Sequence, residues 1–118
     1  MRLENTGIEN ESVELDRLTS IMEDLGFVLA GQWDYERVTF DRKFESKDGV
    51  FYLRVLGYAK EGDIGGKHAV IQLLTPLLGK HYYPHGVEYG EGETFPNNIV
   101  STSKSLLAQA KEQMDKLK

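Results

Sequence analysis

Arg37-Val38-Thr39-Phe40-Asp41-Arg42-Lys43-Phe44-Glu45-Ser46 and Val50-Phe51-Tyr52-Leu53-Arg54-Val55-Leu56-Gly57-Tyr58-Ala59-Lys60, joined by Lys47-Asp48-Gly49, decide the fold. Both runs alternate apolar and polar residues, the period-2 pattern of a half-buried strand. An Asp-Gly pair between such runs signals a hairpin with a type I′ turn, which needs positive φ at both central positions. With Asp48 and Gly49 in those positions, Lys47 faces Val50. The register then pairs Phe44 with Leu53, Arg42 with Val55, Phe40 with Gly57 and Val38 with Ala59 on one face. Every member of that face except Arg42 is apolar or glycine. The opposite face takes Glu45 with Tyr52, Lys43 with Arg54, Asp41 with Leu56 and Thr39 with Tyr58. The hairpin therefore has a core side and a wetter side.

Two amphipathic helices flank the strands. Leu15, Leu18, Ile21, Met22 and Leu25 recur at helical spacing over Val13 to Leu25, with Ser12 as the expected N-cap and Gly26 at the left-handed C′ position. After Pro96, expected in the first helical turn, Ile99, Ser103, Leu106, Leu107, Ala110, Met114 and Leu117 mark one face. Between them, Phe27 to Trp33 reads as a strand, Glu61 to Gly66 as a loop, and His68 to Leu78 as a central strand interrupted at Pro76, which has no N–H for a ladder. Leu3 to Ser12 reads as an extended lead-in or short edge strand, and Gly79 to Phe95 fits neither template. The expected fold is α+β: a two-layer single domain over residues 1–118. Its antiparallel meander has about four to five strands, with the N-terminal and C-terminal helices on one face.

The net charge of −5 lacks the basic face that phosphate neutralisation requires, so nucleic acid is not an expected partner. No segment reaches the length of a membrane span, and the start has no signal-peptide core, so the expectation is a cytoplasmic protein without a membrane partner. The absence of cysteine removes disulfides, thiolate chemistry and cysteine zinc sites.

Chemistry-bearing side chains are densest in Lys80-His81-Tyr82-Tyr83-Pro84-His85-Gly86-Val87-Glu88-Tyr89. A metal site or an acid–base set from His81, His85 and Glu88 is the enzymatic alternative. Pro84 and Gly86 argue against a helix there, and in a strand same-face residues four apart lie about 13 Å from each other, too far to share an ion. No metal, no cofactor and no catalytic residue are therefore expected. Serine-elbow and phosphate-loop contexts are also missing.

Tyr52, Arg54, Leu56 and Tyr58, with Arg37, occupy the sheet face that two helices on the other side leave uncovered. Tyrosine and arginine are enriched in recognition surfaces, although strand propensity alone also places tyrosine there. The expected role is a non-enzymatic module for a small molecule or protein. Its tentative surface is Arg37, Tyr52, Arg54, Leu56 and Tyr58 together with His81, Tyr83, His85 and Glu88. A two-fold homodimer through Tyr52, Leu56 and Tyr58 is expected as well, unless the Gly79–Phe95 segment folds back over them. On the core side, Arg42 either snorkels its guanidinium to water, the commoner arrangement, or pairs with Asp16, Glu23 or Asp24.

Three stretches carry a family resemblance: Asn5-Thr6-Gly7-Ile8-Glu9, Gly31-Gln32-Trp33-Asp34-Tyr35-Glu36 and Gly79 through Tyr89. The chain resembles the YugN-like family, small single-domain bacterial proteins, essentially from end to end. The resemblance implies a cytoplasmic α+β domain and no assigned activity, so no site residues follow from it.

Overall fold

Strand β4 (Gly49–Glu61) is the longest in the sheet and uses both of its edges. The computed structural model describes residues 1–30, 36–64, 68–82, 86–90 and 92–118. Along one edge β4 pairs with β3 (Arg37–Ser46). Along the other it pairs in succession with β6 (Leu77–Tyr82) and β5 (Val70–Leu73). The edges are built outward by β2 (Val28–Leu29) on β3, β1 (Ser12–Glu14) on β5 and β7 (Gly86–Glu88) on β6. The described residues thus form a seven-stranded sheet, all antiparallel, with helices α1 (Leu15–Asp24) and α2 (Asn97–Asp115). The α+β class and the β2-to-β5 meander match expectation, but the sheet is larger than four or five strands. One extra strand joins the end of the lead-in to the first two residues of the expected helix, and two come from splitting His68–Leu78 and from a hairpin in Gly79–Phe95.

The split has a local cause. Gly57 pairs with Leu73 and Arg54 with Leu77, so two residues of β4 oppose Leu74, Thr75 and Pro76. One residue is extra there, which is a bulge. Leu74 N–H still donates to Leu56 O at 2.9 Å, whereas Pro76 has nothing to donate. Its carbonyl instead accepts from Leu3 N–H at 2.9 Å.

The central hairpin turns differently from the expected type I′ form. Ser46 pairs with Gly49, leaving Lys47 and Asp48 as the connection, and the positive φ falls on Gly49 (+131°) alone. Asp48 N–H donates to Ser46 Oγ at 3.1 Å, the local side-chain bond that initiates such a turn. Phe44 therefore opposes Phe51, not Leu53, and Arg42 opposes Leu53. The register is shifted by two residues, a full pleat period, so each side chain keeps its predicted face. Val38, Phe40, Phe44, Phe51, Leu53 and Val55 are buried, while Thr39, Asp41, Tyr52, Arg54 and Leu56 stay partly accessible.

Both helices contribute to the same buried cluster as that sheet face. Leu18, Ile21 and Met22 enter from α1, and Ile99, Leu106, Leu107, Ala110 and Met114 from α2. Each fully buried large side chain is worth about 1.5–3 kcal/mol in removed apolar surface. Helix α1 starts two residues later than its pattern suggests. Ser12 and Val13 are taken by pairing with β5, and Leu15 N–H donates to Ala69 O at 2.9 Å, so no side-chain N-cap is made. Gly26 takes φ +86° at the C-terminal end, as expected. Pro96 stands at the cap of α2 rather than inside it, and Leu117 lies beyond the helix, 42% exposed.

Arg42 is half-buried and bonds a backbone carbonyl. Its Nε donates to Leu25 O at 3.0 Å, and its guanidinium lies 4.9 Å from the Phe44 ring centroid. It caps the negative C-terminal end of α1 through a carbonyl.

Gly57 is where β5 meets β4 most closely. A Cβ there would lie 2.4 Å from Ile71 Cγ2 and 3.0 Å from Gln72 O. Because one of these atoms is backbone, overpacking should cost about 1–3 kcal/mol. Gly57→Ala is therefore expected to lower the unfolding free energy by that amount, read as a lower urea midpoint at an unchanged m-value. An unaltered midpoint would show that β5 is loosely held.

Candidate functional site

The face of the sheet opposite the core cluster carries most of the sequence-predicted site residues, and β4 spaces them out. Tyr52 and Tyr58 are six residues apart on that strand, about 20 Å. The predicted surface therefore divides into two ends.

At one end, Arg37 and Tyr58 are direct ladder partners, and Leu56 pairs with Thr39 one rung further in. These four residues, with Leu74 and Asp63, line a cleft of about 700 Å³. Tyr58 and Leu74 are 42% and 43% exposed, unusually open for large apolar groups. Leu74 follows buried Leu73, so strand alternation puts it on this face. The cleft's outer rim is fixed by Ala59 N–H, which donates to Glu36 O at 2.7 Å.

At the other end, Tyr52 meets His81 ring to ring, with centroids 6.4 Å apart and planes at 75°. His81 is a ladder partner of Val87, and Glu88 of Lys80. Neighbouring strand positions point to opposite faces, so His81 and Glu88 diverge instead of sharing a pocket. Tyr83 and His85 lie outside the described residues. Among the described residues, no three His, Asp or Glu side chains converge as a metal-ligand set.

Arg54 lies between the two ends and is already engaged. Its Nε and Nη2 donate to Asp41 Oδ1 and Oδ2, both at 2.8 Å, a bidentate pair across one rung of the hairpin. Its guanidinium also lies 5.0 Å from the Tyr89 ring centroid. The arginine pKa is raised, first by that hydrogen bond to Asp41.

Tyr89 was not among the predicted site residues, yet it organises this middle region. Its ring packs over Gly79, where a Cβ would come within 2.6 Å of two ring carbons. The described part of the Gly79–Phe95 segment thus folds back over part of the face, with Tyr89 over Gly79 and beside Arg54. The ring is partly accessible, but its hydroxyl is buried without a hydrogen-bond partner among the described residues. Burial is the main reason its pKa is pushed up to about 12; nearby Arg54 pulls the other way. The hint in the sequence is a glycine at a strand position ten residues before a tyrosine, and that does not reveal the contact. Leu74 was legible as an apolar residue facing away from the core, but its place in a cleft was not.

The fold belongs to a recognised class: the chain is a member of the YugN-like family, whose family model matches residues 3–116. In particular, it is 56% identical over 107 residues to the uncharacterized protein YlbA of Bacillus subtilis (strain 168), covering 91% of this chain and 89% of that one. It is 30% identical over 91 residues to the uncharacterized protein YugN of the same organism, covering 76% and 68%. The crystal structure of the uncharacterized conserved protein YugN from Geobacillus kaustophilus HTA426 is similar throughout. Its TM-score is 0.87 at 56% identity, with 99% of this chain and 97% of that one covered. None of these names carries an activity.

A tyrosine whose folded pKa exceeds its unfolded value near 10 contributes stability that is complete below pH 10 and is lost as pH rises towards 12. Ultraviolet titration should show a tyrosinate forming near pH 12 that is absent from Tyr89→Phe. A titration in which Tyr89→Phe removes a group ionising near pH 10 would contradict the burial of this hydroxyl.

Proposed function

We propose that this protein is a non-enzymatic binding module that takes a small molecule in the cleft lined by Arg37, Leu56, Tyr58 and Leu74. The observation that carries this reading is the cleft's combination of size and lining. About 700 Å³ falls within the range of small-ligand sites, and apolar walls with a few polar groups are their usual composition. The ion pair of Arg54 with Asp41 supports placing recognition at the Tyr58 end, because it commits the central charges to each other. The divergence of His81 and Glu88 weighs against the enzymatic alternative. We further propose that both helices lie on the core side of the sheet, that residues 1–118 form one domain, and that the protein works in the cytoplasm. One buried cluster shared by both helices and the sheet supports the first two points.

Small molecules extracted from protein captured out of its native cytoplasm and identified by mass spectrometry test the binding role. A compound retained by wild type and lost from Tyr58→Ala is the expected result. Equal recovery from both proteins, or none from either, would refute the cleft as the site.

A second reading, a two-fold homodimer through the same face, is favoured by the exposure of Val28 (66%), Tyr58 and Leu74. Val28 pairs with Asp41 and so projects to this side of the sheet. Such a contact would cover apolar surface around a charge-neutral centre. Light scattering after size exclusion should give a dimer mass at micromolar concentration and a monomer for Leu56→Glu. A monomeric wild type refutes the dimer, and a dimer unaffected by Leu56→Glu places the contact elsewhere.

A further inference from the structure

The cleft carries a charge pattern as well as an apolar lining, and the pattern discriminates between ligand classes. We infer that its ligand is a small amphipathic cation, an apolar or aromatic body bearing one protonated amine; this rests on the binding role proposed above. Among the described lining residues, the ionic groups are the carboxylates of Glu36 and Asp63 and the guanidinium of Arg37, a net charge of −1. Leu56 and Leu74 form an aliphatic wall, and the exposed Tyr58 ring offers a π-face, which attracts a cation and is indifferent to a neutral group of the same shape.

The backbone sets where these charges fall. Arg37 is the ladder partner of Tyr58, so its side chain starts beside the ring on the same face. Glu36 sits one position further out, held by its carbonyl bond from Ala59. Asp63 follows Gly62, whose φ of +71° turns the chain at the end of β4 beside Ala69. An amine entering along the leucine wall meets the exposed Asp63 carboxylate where the chain leaves β4. A carboxylate ligand would face that same acid. The net charge of −5 on the whole chain acts in the same direction at longer range.

Three probes of similar size separate charge from shape: 2-phenylethylamine, 2-phenylethanol and 3-phenylpropionate. Each is titrated into the full-length ¹⁵N-labelled protein at low salt, following the amides of Gly57, Tyr58 and Leu74. The amine should shift these amides and bind about tenfold more tightly than the acid, the scale of one favourable charge contact in a partly wet site. The alcohol should fall between them. Added salt should narrow the spread, and Asp63→Asn should weaken the amine selectively, about threefold, while the alcohol is unchanged. Asp63 is exposed, and resonances of the buried core in that variant report that the fold is kept. Equal binding of amine and alcohol, or tighter binding of the acid, would overturn the cationic inference while leaving the cleft as a site. No shift of these amides with any probe would overturn the cleft reading itself.

Discussion

The close approach of β5 to β4 at Gly57 is the constraint on which the rest of the architecture depends. β4 has to serve β3 along one edge and two successive strands along the other, and only a residue without a side chain leaves Ile71 room at that crossing. From there the chain must travel to β6 along the same edge, and the extra residue at Leu74–Pro76 takes up the mismatch. The Pro76 carbonyl within the bulge accepts from Leu3 N–H, which brings the N-terminal segment to the sheet. Leu74, next to buried Leu73, faces the accessible side by strand alternation. The cleft beside Tyr58 therefore follows from how the core is packed and is not an addition to it.

Arg42 shows how the same packing treats a charge on the apolar side. A guanidinium among buried residues needs an acceptor that is close and fixed, and the end of α1 presents unpaired carbonyls. Leu25 O is one of them, and the Phe44 ring covers the guanidinium from the other side. A carboxylate partner would have required a second buried charge and its desolvation. One arginine thus ties the C-terminal end of the first helix to the middle of β3.

Periodicity made the face assignment of the hairpin legible, and that assignment survived an error in register. The Asp-Gly pair suggested one turn; Ser46 accepting from Asp48 N–H and the positive φ confined to Gly49 gave another. The slip was two residues, and the pleat repeats every two, so the core list and the accessible list stood. What alternation cannot show is contact between segments distant in sequence. Arg37, Leu56 and Tyr58 could be read as sharing a face because one hairpin holds all three. The seating of Tyr89 over Gly79 and the arrival of Leu74 beside Tyr58 depend on β5, β6 and β7 taking their places, which no local pattern encodes. For the same reason Ser12 looked like a helix cap. It has the right chemistry and the right spacing, but pairing with β5 claims its backbone first.

The two ends of the accessible face also differ in what their polar groups still have to do. In the middle, Asp41 and Arg54 satisfy each other with matched geometry on one rung, and the Tyr89 ring shields the guanidinium from water. Side-chain exposures of 16% for Asp41 and 32% for Arg54 leave that pair little freedom to rearrange. Separating it for a ligand would strip a partly buried carboxylate of its partner, so this pair acts as a rigid floor and not as a contact. Next to it, the buried Tyr89 hydroxyl resists ionisation and keeps that stretch neutral. Towards Tyr58 the rungs carry Thr39 with Leu56 and Arg37 with Tyr58, and apolar surface lies open. Surface that is apolar and concave gains most from being covered, because a ligand there removes water from apolar groups. The fixed floor and the open end belong together: the first holds the strands in register so that the second keeps its shape.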